Sequence, residues 1–416
     1  MRVLYGVVFT LACSLPALAQ APTRLSLDDL VAAVVATHPE VATAQKRYDA
    51  ARLRPVQERS LPDPMVSAGY NASGNPLPGA GLGSEPTANI GVMVSQELPY
   101  PGKLALRASI ASREADAEFQ QIDAARLSVT ARAKQAYYRL AYAYAVGDVL
   151  ARNRDLLVAL LEISENRYAV GRAAQQDVIK AQTQISILDI QIERAHQERA
   201  TREGELNALL ALPASTPVGR PGDLHLTAFD VEIESLVTAA AGRAPMLQRD
   251  RILIDRSQLA IDAARREYKP DFTLTGGYYY MGAMPSMYEF RFDVKVPLQR
   301  ARRAAAVAEQ IRAAEQARSA YDATRLGLQS RIEEDYHLAS TSARLARLYR
   351  DTVLPQARLA LESSMASYHT GSVDFLSVLT NFGTVLEYEI SYFDELAAYH
   401  TAVSRIEEMT GAPLVH

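Results

Sequence analysis

Between Lys103 and Tyr168 the chain has no proline, and its one glycine there is Gly147. A continuous α-helix over about 65 residues, at 1.5 Å per residue, is roughly 100 Å long. Helices of this length cannot wrap one compact core, so they must lie beside one another as coiled coils. Residues 300–368 read as a counterpart, with Pro355 expected to kink that helix rather than end it. Return helices are expected at 173–211 and 373–410. In the second, Leu379, Phe382, Leu386, Glu389, Phe393, Leu396, His400 and Val403 follow alternating steps of three and four, a heptad seam with an acidic interruption at Glu389. Val178, Ala181, Ile185, Leu188, Ile192 and Ala195 do the same in the first. Shorter helices at 40–60 and 245–268, stacked end to end with the return helices, would give each long helix a partner of matching length.

The chain also repeats itself. "LVAAVVATHPEV" (30–41) matches "LVTAAAGRAPML" (236–247), and "LPDPMVSAGY" (61–70) matches "KPDFTLTGGY" (269–278). "RYAVGRAAQQDVIKAQ" (167–182) matches "SYHTGSVDFLSVLTNF" (367–382), aligning Tyr168 with Tyr368 and Gly171 with Gly371. A unit near 200 residues is a duplicated domain rather than a solenoid repeat. The expected organisation is a leader at 1–19, a first repeat at 20–213, a linker at 214–230 and a second repeat at 231–416.

Each repeat carries one pair of strands, at 65–72 and 89–98, then at 272–281 and 288–297. In "YEFRFDVKVPL" (288–298), Phe290, Phe292, Val294 and Val296 would point one way, with Glu289, Arg291, Asp293 and Lys295 on the other face. That alternation suits either a soluble sheet or an outer-membrane barrel, whose apolar face meets lipid while the charged face lines a wet lumen. Four strands are too few for a transmembrane barrel, so length favours pooling by several chains: about ten residues, tilted near 40°, span roughly 25 Å. Tyr70, Tyr278, Tyr279, Tyr280 and Tyr288 lie near strand ends, where an aromatic girdle belongs.

"MRVLYGVVFTLACSLPALAQA" has one basic residue, a short apolar run and an Ala17-x-Ala19 exit, the pattern of a secretory signal peptide cleaved after Ala19. Cys13, the only cysteine, would leave with it rather than carry lipid. A net charge of −4 gives a nucleic-acid partner no electrostatic support. HExxH, paired-cysteine and GxSxG motifs are absent from the sequence, so no enzyme and no cofactor is expected.

Leader, duplicated halves, one hairpin per half, very long helices, and Tyr168-x-x-Gly171 followed six residues later by Asp177 together resemble the TolC family of outer-membrane factors. The resemblance covers essentially the whole mature chain. "SQELPYPGKLALR" (95–107) resembles the CusC/CzcC-type branch that serves heavy-metal pumps. The fold this implies is a mixed α and β membrane protein. It is a homotrimer whose twelve-stranded outer-membrane β-barrel continues into a long periplasmic α-helical barrel. The function it implies is a passive exit duct, docked through a periplasmic adaptor to an inner-membrane efflux transporter of RND type. Heavy-metal ions are the first cargo expected, with drugs or other small organic molecules as the alternative.

The same resemblance puts the adaptor contact at the helix-to-helix turns, on Gly171, Arg172 and Ala173 and on Gly371, Ser372 and Val373. A polar gate there would use Asp177 and Tyr368. The family's arginine two residues after the second glycine is Val373 here, and the acid six residues after it is Ser377, so Arg172 or Lys180 is the expected substitute cation. Asp177 is also explicable as an acid favoured by a helix N-terminus, and both glycines as helix caps.

Rival readings remain. Met281, Met284 and Met287 offer thioethers at three-residue spacing in an expected loop, weak candidates for Cu(I). Glu193/His196 and Glu334/His337 have the spacing of di-iron helix bundles, yet the duplication does not relate the two pairs. A secreted coiled-coil scaffold without a pore would leave the strands unexplained.

Overall fold

The computed structural model describes residues 24–73, 77–227 and 231–414; the expected leader and Cys13 lie outside them. The first half begins with β1 (Arg24–Leu25), α1 (Leu27–Thr37), α2 (Pro39–Ala51) and α3 (Arg54–Arg59). It continues through β2 (Met65–Asn71), β3 (Asn89–Leu98), α4 (Lys103–Ala169) and α5 (Gln175–Leu209). After β4 (Arg220–Pro221) the second half follows the same order: α6 (Ile233–Arg243), α7 (Pro245–Arg266), β5 (Asp271–Met281), β6 (Met284–Lys295), α8 (Arg300–Leu348), α9 (Leu354–Thr370) and α10 (Phe375–Thr410).

Two helices differ from expectation, each for a local reason. The helix expected at 40–60 is two, α2 and α3, because Pro55 cannot continue a helix and instead occupies the first turn of a new one. The helix expected at 300–368 is interrupted by a π turn at Tyr349–Val353. There the Leu354 amide donates to the Tyr349 carbonyl, five residues back. Pro355 follows at once, lacking an amide and crowding the carbonyl four residues before it. The wider turn accommodates that ring without ending the rod.

α4 is the spine. Its half nearer the α4–α5 turn packs on α5, where the Tyr144 hydroxyl meets Glu203 at 3.0 Å; its other half packs on α2, α3 and α7, where Tyr48 sits edge-on to Phe119 at 5.3 Å. Thr37 at the end of α1 reaches the Leu210 carbonyl at 3.5 Å, which brings the junction of α1 and α2 beside the end of α5. α8 similarly packs on α7 and α10, and contacts between α4 and α10 join the halves.

The heptad seam of α10 is buried as the spacing requires: Phe382, Leu396 and Val403 are inaccessible or nearly so. Its acidic interruption is satisfied. Glu389, 7% exposed, accepts from Asn153 Nδ2 on α4 at 3.0 Å and from the Arg358 guanidinium on α9. A buried carboxylate is tolerable only with such partners.

At mid-height the linker straps the bundle. β4 pairs in parallel with β1, the Gly222 amide donates to the Tyr137 hydroxyl at 2.9 Å, and the Tyr399 hydroxyl donates to the Thr227 carbonyl at 3.0 Å. His400 Nε2–H donates to the His225 carbonyl at 2.9 Å while its ring stacks on Tyr138 at 4.1 Å. Burial lowers His400 from the ordinary 6.5 to about 4. The unfolded chain therefore takes up this proton first, and acid favours unfolding. Stability should be full above about pH 6.5 and fall by about 3 kcal/mol as the pH drops towards 4. Thermal melting of His400→Phe, which keeps the stacking ring, should lose that part of the slope.

Candidate channel wall and periplasmic tip

β2, β3, β5 and β6 form one antiparallel sheet in the order β2-β3-β5-β6. Its register sorts the side chains onto two unlike faces. Val66 pairs with Val94, Ala68 with Val92 and Tyr70 with Ile90; Leu274 pairs with Phe292 and Tyr278 with Tyr288. Those residues share one face, and the described residues leave most of it bare: Phe290 is 87% exposed and Val66 67%. The other face carries Ser67, Asn71, Ser95, Thr273 and Thr275 together with the charged residues of β6. Its charges neutralise one another along the strand. Arg291 donates to Glu289 at 3.4 Å and to Asp293 at 2.9 Å. Lys295, exposed, ends the row.

Tyr279 departs from the expected girdle. It lies on the polar face, its ring laid across Gly91 and Gly277 and its hydroxyl donating to Glu289. A side chain at Gly91 would collide with that ring at 2.3 Å, so the glycine is required there. Tyr70, Tyr278, Tyr280 and Tyr288 remain on the apolar face.

The methionine loop is also corrected. Met281 ends β5 and Met284 opens β6, leaving only Gly282 and Ala283 between them, while Met287 lies within the strand opposite Tyr279. Gly282, at φ 69°, supplies the positive angle a two-residue hairpin needs at its first position. Pro285 disguised the strand, yet it is admissible because β6 is an edge.

The sheet joins the helices through the "PYPGK" turn. Gly102 takes φ 91°, and the following Lys103, 3% exposed, places its ammonium 2.9 Å from Asp271 and 3.0 Å from Glu267. The Tyr100 amide donates to the same Asp271 at 2.8 Å. The start of the longest helix is thus bolted to the second hairpin.

At the opposite end both helix pairs reverse through the same cap. Gly171 (φ 69°) and Gly371 (φ 86°) are left-handed. The Arg172 amide donates to the Arg167 carbonyl at 2.8 Å, and the Ser372 amide to the Ser367 carbonyl at 2.9 Å, the six-to-one bond of a glycine-terminated helix. Beyond these bonds the two turns differ. Tyr168 is 47% exposed, whereas Tyr368 is 2% exposed against Phe375. The Tyr368 hydroxyl lies 3.3 Å from Ser164 Oγ and 3.5 Å from Asp177 Oδ2, and burial pushes its pKa up, so it stays a neutral donor. Asp374 caps α10 by accepting from the Ser377 amide at 3.0 Å, and the Ser377 bonds hold its carboxyl below the usual range. Neither expected substitute cation is among the described side-chain partners of Tyr368: Arg172 bonds Arg167 through its backbone amide and carbonyl, and Lys180 acts on Asp374 through space. Arg167, which no motif in the sequence marks, stands 4.4 Å over the Tyr368 ring. It occupies the position of Ser367 in the duplication, and that asymmetry was the available signal.

The di-iron pairs are separated onto α5 and α8, with all four side chains exposed; among the described residues no His, Cys, Asp or Glu cluster is suited to a metal. No described helix is long and apolar enough to cross a membrane.

A sheet with one uncovered apolar face on rods of this length defines the class of outer-membrane channel proteins with a large periplasmic helical part. The sequence pattern of the family described as "Outer membrane efflux protein" matches residues 30–212 and again 236–412, and the chain belongs to that family. Its fold is similar to that of CusC (TM-score 0.78, 15% identity, 92% of this chain and 91% of that one). It is similar also to VceC from Vibrio cholerae (0.78, 16%, 93% and 96%) and to a membrane protein from Pseudomonas aeruginosa (0.80, 18%, 92% and 92%). Among curated proteins it is 26% identical, over 190 residues, to the multidrug resistance outer membrane protein MdtP of Shigella flexneri; the match spans 45% of this chain and 38% of that protein.

Proposed function

We propose that three copies of this chain pool their sheets into an outer-membrane barrel and their helices into a periplasmic tunnel. The assembly acts as the passive exit duct of a tripartite efflux system, with a periplasmic adaptor and an RND-type inner-membrane transporter. The observation that carries this is the largely bare apolar face between two edges, β2 and β6, that pair with no further strand among the described residues. Open edges and bare apolar faces are costly in water and are relieved together when neighbouring copies pair edge to edge in lipid. Heavy-metal export is the first reading of cargo, supported by the resemblance of residues 95–107 to the metal branch. Export of organic compounds is the second, favoured by the likeness to MdtP, whose name describes multidrug resistance. Deleting the gene and surveying metal and drug sensitivities separates them: sensitisation to metal salts alone supports the first, to organic compounds alone the second.

The turns at 169–173 and 369–373 serve as the adaptor contact, and Asp177 with Tyr368 forms part of the closed tip. Asp177→Ala should raise single-channel conductance severalfold in planar bilayers. Unchanged conductance would remove Asp177 from the gate.

A further inference from the structure

Arg167 sits in the last turn of α4, in the first of the two tip reversals, and touches the second. Its Nη2–H donates to the Arg172 carbonyl at 3.0 Å, closing its own turn. Its guanidinium carbon lies 4.4 Å from the centre of the Tyr368 ring, on α9. The same Nη2 would stand 3.3 Å from a side chain at Gly371, so glycine there leaves room for the cation as well as for the cap. Nε and Nη1 find no hydrogen-bond acceptor among the described residues. The contact that holds the group across the gap is therefore the aromatic face, an arrangement in which a planar guanidinium does better than an ammonium. Tyr368 in turn holds the hydroxyl that meets Ser164 and Asp177.

We infer that Arg167 is the clamp of the tip. By stacking on Tyr368 it ties the α4–α5 turn to the α9–α10 turn of the same chain, and it supplies from a different place the cation missing at Val373. The inference rests on the reading of Asp177 and Tyr368 as a gate. It makes Arg167 a positioning residue, acting through the aromatic ring on which it stacks and so through the spacing of the two turns.

Single-channel recording of the purified full-length assembly in planar bilayers tests it, with an oligomer band on unboiled gels as the control for folding. Arg167→Ala should raise conductance severalfold, and Arg167→Lys, which keeps the charge but not the plane, should give an intermediate value. The Arg167→Ala effect should persist on a Tyr368→Phe background, which retains the ring, and vanish on Tyr368→Leu. A merely structural arginine would not discriminate between those backgrounds. If Asp177→Ala opens the channel and Arg167→Ala does not, the clamp is overturned and the gate stands. If neither opens it, both fall. Should any variant lose the oligomer band, exchange of the Arg172 and Ser372 amides in Arg167→Lys decides instead: faster exchange at both turns supports the clamp, and parental exchange overturns it.

Discussion

Replacing Phe290 with arginine is expected to abolish assembly in the outer membrane. The side chain lies midway along β6, opposite Gly276, and is 87% exposed in the chain. If lipid covers it, arginine at that depth costs about 2–4 kcal/mol per copy. Three copies would then lose roughly as much as the whole stability of an ordinary domain, about 5–15 kcal/mol. Asp293→Asn, on the opposite face of the same strand, should assemble normally, because water reaches it. The measurement is the heat-sensitive oligomer band in outer-membrane fractions. Equal amounts of band from Phe290→Arg and the parent would mean that the apolar face meets something other than lipid.

Arg291→Glu is expected to make the conduit strongly cation-selective. In the native row Arg291 lies between Glu289 and Asp293 and neutralises them. Reversal leaves three adjacent acids on the polar face of each copy, and rings of acids select cations. An added potential of only about 1.4 kcal/mol for a monovalent ion shifts the permeability ratio tenfold. The reversal potential under a salt gradient reads this directly, and it should shrink at high ionic strength as the charges are screened. A reversal potential unmoved by the substitution would place this face away from the conduction path.

The parts legible in the sequence were those written in periodic form. Alternation in 288–296 specified which side chains of β6 share a face, and Gly171 and Gly371 marked the two reversals, because only a residue tolerant of positive φ caps a helix this way. The seam of α10 was readable through Leu396 and Val403, including the position of its acidic break. What escaped had no period. Alternation puts Tyr279 opposite Tyr278 and Tyr280, but it does not say that Gly91 and Gly277 clear a bed for its ring on that other face. Arg172, Lys180 and Arg167 all lie about 200 residues from Tyr368 in the chain, so spacing does not say which of them reaches its ring; the packing of the two turns puts Arg167 there.

Local chain chemistry by itself thus determined the rods, the hairpins and their duplication, because proline content, side-chain period and glycine at reversals act within a few residues. Only the tertiary structure decided which partners satisfy Glu389, His400 and Lys103, and which cation stands over Tyr368. Each of those buried groups is held by an element distant in the chain. Satisfying a desolvated charge or dipole depends on distances in space, which no spacing along the sequence encodes.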